Sequence, residues 1–460
     1  MKKACLVALV AIGMASSALL ADEPIPGLTP EAFGSAYACY PTCVLPDYIL
    51  AEDLNSDGWL DLAVSCFASN AVSIYLNRAL EDTPYPGVFA EPERIITAAG
   101  PIAIAAGYVD SAAGADGYAD IAVLTAVSTS GSVIQSTADG FNSVAADLLA
   151  PSAVPVHMAV GDMTRTDLIA DWVIATNRPA VVSLSINGAP ATPILGPFAE
   201  ATITSVAIAD FNCDGRNDIA VGFSTPAQIE IFYALPGPPV AWATGGPLAL
   251  PGGLQVTSMD VGDLNNDGFP DIVAVGNIGG FGQVVVLTNH AAPTGFAVGT
   301  ALPTWGLDAH FVEVLDADGN GWDDFAVANY ASHTITVFLT NPESLAGDGR
   351  HTRHDVCLEE PSKATITIVP QYKIEIECGF YPNCIAAGDF DRNGKMDIAF
   401  TLESTSEAIC PQNPSCIEIV FDIACGFQPD QKAHLVTPGE EPQECEPDGC
   451  GDKGDEPKNP

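Results

Sequence analysis

The 460-residue chain is short of basic side chains, with 16 Lys and Arg against 58 Asp and Glu and a formal net charge of −42. Phosphate backbones and anionic lipid surfaces would repel so acidic a chain, which argues against nucleic acid as a partner. Long apolar runs are scarce too: beyond the N-terminal stretch none reaches 18 residues, so no transmembrane segment is expected. Catalytic signatures are missing. There is no Gly-x-Ser-x-Gly elbow, no His-Glu-x-x-His and no phosphate-cradling glycine loop ahead of a helix. Tandem Gly-Gly-x-Gly-x-Asp nonapeptides are absent, which removes the calcium-stabilised β-helix.

What the chain does contain is one nine-residue loop repeated five times, at 53–61, 210–218, 263–271, 316–324 and 389–397. Position 1 is Asp, positions 3 and 5 are Asp or Asn, position 6 is Gly and position 9 is Asp. The candidate side-chain ligands are Asp53, Asn55, Asp57 and Asp61, then Asp210, Asn212, Asp214 and Asp218, then Asp263, Asn265, Asp267 and Asp271. The last two loops supply Asp316, Asp318, Asn320 and Asp324, and Asp389, Asp391, Asn393 and Asp397. Main-chain carbonyls at position 7, from Trp59, Arg216, Phe269, Trp322 and Lys395, complete each set. Alternating oxygen donors around a Gly-permitted sharp turn suit a hard cation such as Ca²⁺, so about five calcium ions are expected. An EF-hand would need flanking helices and a Glu at position 12. Here short apolar runs stand on both sides, and the loop reads as the turn of a β-hairpin.

Two degenerate copies complete the series. Residues 110–120 keep Asp110, Asp116, Gly117 and Asp120 but have two extra residues and Gly114 where a ligand belongs, so binding there should be weak or absent. Residues 162–171 have lost the Gly, and Arg165 is expected to replace the cation by pairing with Asp162, Asp167 or Asp171. Loop starts then fall at 53, 110, 162, 210, 263, 316 and 389. A blade of four short strands takes about 40–50 residues, so the expected fold is all-β: a seven-bladed β-propeller with calcium-binding hairpin loops. A closed ring also leaves no exposed sheet edge.

The fifth unit can be read strand by strand, near 255–261, 271–275, 282–288 and from 295 onward. Residues 325–339, Phe-Ala-Val-Ala-Asn-Tyr-Ala-Ser-His-Thr-Ile-Thr-Val-Phe-Leu, resemble the FG-GAP/VCBS repeat family. The resemblance covers roughly 40–437, with the calcium loop its most specific element. It implies a propeller like the heads of integrin α subunits and of many bacterial secreted proteins.

The ends fit export. Residues 1–21 read as a bacterial-type secretory signal, leaving twelve cysteines for disulfides in an oxidising extracellular or periplasmic compartment. Residues 22–39 form an N-terminal segment whose end could add a covering strand, and 438–460 an acidic, disordered tail. Residues 425–437 are expected to finish the last blade, and an extra hairpin is expected at about 361–377 in the long gap before it.

If the calcium loops crown one face, the opposite face carries Asn177, Arg178, Trp305, Tyr330, His333 and Tyr381. Aromatic and Arg side chains anchor protein and sugar ligands, so that face is the expected binding surface of a non-enzymatic adhesion module. A calcium-dependent, lyase-like enzyme on polysaccharide is the competing expectation, because some propellers of related architecture do that chemistry.

Overall fold

The computed structural model describes residues 37–420 and 423, apart from 78–88, 109–116, 127–130, 147–152, 165–169, 187–188, 238–240, 291–294, 341–371, 378–380 and 404–414. Within them lie seven antiparallel sheets of four strands, six of them sequential meanders, one of which gains a fifth strand, and the seventh completed by the first strand of the chain. The first strands of the sheets run Pro46–Glu52, Pro101–Gly107, Val154–Gly161, Thr202–Ala209, Gln255–Gly262, Ala309–Leu315 and Tyr381–Gly388. Each touches the next and the last touches the first, so the sheets form the blades of a closed seven-bladed ring.

The sequence pattern explains the layering. Second and third strands such as Asp324–Asn329 and Thr334–Leu339 are buried at every position. Both of their faces pack against neighbouring blades, so they read as continuous apolar runs rather than alternating ones. Side chains from adjacent blades interdigitate. Val64 and Tyr75 of the first blade, for example, share a core with Ala399 and Ile417 of the seventh. Every first strand carries a register shift against its second strand near its start, a β-bulge that bends it and re-aims its side chains.

The ring closes with sequence from the N-terminus. Tyr37–Pro41 is the fourth strand of the seventh blade and pairs with Cys416–Val420. A disulfide between Cys43 and Cys66 then ties the chain just after this strand to the first blade. Residues 425–437 lie outside the described residues. Tyr372–Glu377, expected as half of an inserted hairpin, is instead the fourth strand of the sixth blade, in continuous register with Thr334–Leu339. The long excursion therefore falls between the third and fourth strands of one blade. Without its own fourth strand that blade would leave an open edge. The partner expected for the hairpin, 364–369, lies outside the described residues.

Candidate cation loops and ligand face

All seven second strands begin at the aspartate that closes the loop, the ninth residue in the five intact copies: Asp61, Asp120, Asp171, Asp218, Asp271, Asp324 and Asp397. Each of these aspartates is at most 2% exposed. Their carboxylates accept main-chain hydrogen bonds from one or both of two directions, and Asp61, Asp271 and Asp324 take both. One oxygen takes the N–H of loop position 2, as from Leu54 to Asp61 at 3.1 Å and Phe390 to Asp397 at 2.8 Å. The other takes an N–H at the end of the third strand, as from Asn77 to Asp61 and Asn289 to Asp271, both at 2.7 Å. The degenerate copies keep this pin, since Ser136 donates to Asp120 and Met163 to Asp171, each at 3.0 Å. The ninth carboxylate thus fastens loop to blade whether or not the rest of the motif survives.

The five intact loops share one wiring. An oxygen of the position-1 aspartate accepts from the position-6 Gly N–H, as from Gly58 to Asp53 at 2.8 Å. Position 3 accepts from the N–H of position 5 at 2.9–3.1 Å. Position 5 accepts from the N–H of position 7 at 2.8–3.0 Å. The backbone turns through the left-handed region at position 6, with φ from +82° to +86°, which is why Gly stands there. Position 4 is left-handed as well, at Ser56, Cys213, Asn266, Gly319 and Arg392.

These bonds leave carboxylate oxygens to spare, and two of the loops gather acids closely enough to hold a cation. Asp316, Asp318 and Asp324 bring ligand oxygens within 4.8 Å of one another, as do Asp389, Asp391 and Asp397. Oδ1 of Asp316 and Oδ2 of Asp218 are buried with no hydrogen-bond partner. A buried anionic oxygen left unpaired is costly, and a divalent ion is the group that would satisfy it. Burial, with the neighbouring aspartates adding, pushes Asp61 and Asp218 up to about 7 and Asp324 to about 8. Such carboxylates call for a proton or a metal. In the fourth blade's loop Arg216 also reaches Asp214, at 2.9 Å. Adjacent loops touch: the Arg392 guanidinium lies 4.4 Å from the Trp59 ring centroid, and Cys213 Sγ is 3.8 Å from the Gly268 carbonyl. Residues 165–169, with Arg165 and Asp167, lie outside the described residues, as do Asp110, Gly114 and Asp116.

On the opposite face three of the six expected residues come together. Tyr330 and Tyr381 stack with centroids 4.8 Å apart, and His333 meets Tyr381 edge-on at 4.3 Å. His310 lies 5.5 Å from Tyr330, whose hydroxyl donates to Glu403 at 2.9 Å. Burial and that carboxylate raise the Tyr330 phenol to about 12. Trp305 is 51% exposed and lies over Phe338 at 5.7 Å. Exposed Phe281 and Leu307 pair across strands beside it. Asn177 does different work. It exchanges two 3.0 Å bonds with the main chain of Ile203, bracketing the third blade to the fourth. Arg178 is exposed next to it, away from the aromatic group on blades five to seven. His310 and Glu403 were missed because they sit inside strand runs, where the sequence marks them only as lone polar residues.

Residues 263–327 match the profile described as an FG-GAP-like repeat. Human integrin alpha-IIb is 26% identical over 240 residues, 43% of this chain and 21% of that protein. Human integrin alpha-7 is 31% identical over 152 residues, 30% of this chain and 13% of that protein. The chain thus matches about a fifth or less of the length of these relatives. Among solved structures, BBS1N in complex with ARL6DN aligns with a TM-score of 0.52 at 12% identity, over 85% of this chain and 97% of that one. A catalytically inactive virginiamycin B lyase from Staphylococcus aureus aligns at 0.50 and 12%, over 84% and 99%. These two likenesses concern the fold alone.

Proposed function

We propose that the chain, with its FG-GAP-like repeat at 263–327 and its similarity to integrin alpha subunits, is a secreted, calcium-loaded binding module for a protein or glycan ligand. The ligand sits on the face opposite the cation loops. The observation that carries this reading is the gathering of Trp305, Tyr330, His333 and Tyr381 on blades five to seven. Trp305, Asp308 and His333 there all hold left-handed backbone, at φ +58°, +58° and +60°. Bulky residues pay about 1–3 kcal/mol for such conformations, which persist where the surroundings impose them and cluster at ligand sites. Flat rings flanked by the Glu403 carboxylate and two imidazoles suit a sugar face or a protein anchor.

Calcium in the five intact loops ties each first strand to its second, and adjacent loops to one another. Extracellular calcium modules bind at about 10⁻⁴–10⁻³ M, so the loops fill outside the cell. Residues 1–21 as a signal and the Cys43–Cys66 disulfide support export. The test is a glycan array and an extracellular-protein pull-down in millimolar calcium, with the natural chain, Tyr381→Ala and Trp305→Ala. A hot-spot loss of about 2 kcal/mol weakens binding roughly 30-fold. A ligand bound equally by both variants contradicts the assigned face, and new unsaturated sugar ends would mark an enzyme instead.

A further inference from the structure

A cavity of about 360 Å³ lies at the centre of the ring, lined from six of the seven first strands. Its size falls at the small end of ligand pockets, which run about 300–1,000 Å³. Most of the lining residues are apolar, including Ile104, Met158 and Met259, while polar atoms make the larger share of the exposed wall, and no Lys or Arg lines it. Two carboxylates do, Asp260 and Glu313. Asp260 accepts the N–H of Val261 at 2.8 Å and of Val314 at 2.7 Å, which fixes its carboxylate in place. Three rings complete the lining. Tyr48 meets Phe311 edge-to-face at 5.4 Å and His157 at 6.3 Å. All three occur where the first-strand bulges fall, between Pro46 and Ile49, Pro155 and His157, and Ala309 and Phe311.

The charge balance of this cavity is unusual. His157 is its nearest candidate counter-charge, but its Nδ1 accepts the Val206 N–H at 3.4 Å, so its proton sits on Nε2. Burial holds the imidazole down to about 4, and at neutral pH it is uncharged. Burial raises the carboxyls of both Asp260 and Glu313, and Asp260 raises Glu313 further, so a cation beside them would be favourable to both. The cavity thus holds two carboxyls and no Lys or Arg to balance them. The Tyr48 hydroxyl, meanwhile, makes no hydrogen bond to any described residue.

We infer that the central cavity binds a small organic ammonium ion, its charge against Asp260 and Glu313 and its carbon skeleton against Tyr48, Phe311 and the methionines. A cation facing aromatic rings is attracted by their electron-rich faces in addition to its carboxylate contacts. A bare metal ion fits less well, because both Asp260 oxygens already accept main-chain N–H groups and Glu313 is the only other carboxylate lining the cavity. This site is separate from both the cation loops and the outer aromatic face.

The experiment uses the full chain in excess calcium, which occupies the loops, with n-butylammonium chloride as probe and n-butanol as its uncharged counterpart. Calorimetry or saturation-transfer NMR at pH 7.5 should show n-butylammonium binding at least tenfold tighter than n-butanol. Glu313→Gln should weaken it at least tenfold with the melting temperature held. Ala105→Met, which narrows the cavity without touching either carboxylate, should weaken it too and serves if Glu313→Gln does not fold. Absence of n-butylammonium binding, equal binding of n-butanol, or undiminished binding in the folded variants overturns the inference.

Discussion

Asp324 and Asp318 occupy the same loop and should fail in opposite conditions. Asp324 is fully buried and accepts the N–H of Ala317 at 2.9 Å and of Thr340 at 2.6 Å. Asp324→Ala strands both donors in a region that water does not reach. At about 1–3 kcal/mol per unsatisfied group, the loss is about 2–6 kcal/mol, a large share of the ~5–15 kcal/mol that keeps a domain folded. Asp318 is half-buried and accepts the Asn320 N–H, at 3.1 Å, and the Asn320 side-chain amide, both within its own loop. Asp318→Ala should therefore cost under ~1 kcal/mol in EDTA. In calcium at a hundredfold excess over Kd the natural site contributes about 2.7 kcal/mol, and Asp318→Ala forfeits that increment. Urea unfolding of both variants, in EDTA and in calcium, separates the two roles. Equal losses for the two variants in EDTA, or no calcium-dependent penalty for Asp318→Ala, would refute the division of labour.

Two further outcomes follow from the same geometry. Because the folded chain keeps protons on Asp61, Asp218 and Asp324 that ordinary aspartates near 3.8 release, calcium-free stability should fall as pH rises from about 4 to about 8. Calcium replaces those protons, so melting temperatures in calcium should flatten or reverse that slope, and parallel curves in EDTA and calcium would contradict it. Opening the Cys43–Cys66 disulfide, which spans 23 residues, should cost about 3 kcal/mol. Melting of Cys43→Ser with Cys66→Ser would check this, an unchanged midpoint showing that the ring-closing strand holds without it.

Much of this architecture was legible because the repeat carries its own punctuation. An Asp nine residues into each intact loop marks where the second strand begins, and even the degenerate copies at Asp120 and Asp171 obey it. Closure was harder to read. The strand Tyr37–Pro41 has no loop beside it, and only its pairing with Cys416–Val420 identifies it as a blade edge. Tyr372–Glu377 was misassigned for the same reason, since an edge strand after a long excursion looks like an insertion until its register is known. Of the outer face, Tyr330, His333 and Tyr381 were found because strand 2–3 and 4–1 connections share one side of a propeller. Asn177 was included on the same logic, yet its amide turned out to bracket two blades. The central cavity was not foreseen. Asp260 and Glu313 are single acids inside apolar first strands, and only closing the ring brings them to one space.

The central claim is that five loops, and only those five, hold calcium. Metal analysis of the purified chain after dialysis against buffer with millimolar calcium, corrected for the free ion, tests it directly. The account predicts five calcium ions per chain. None would contradict the cation reading of the loops, and seven would show that the copies at 110–120 and 162–171 bind as well.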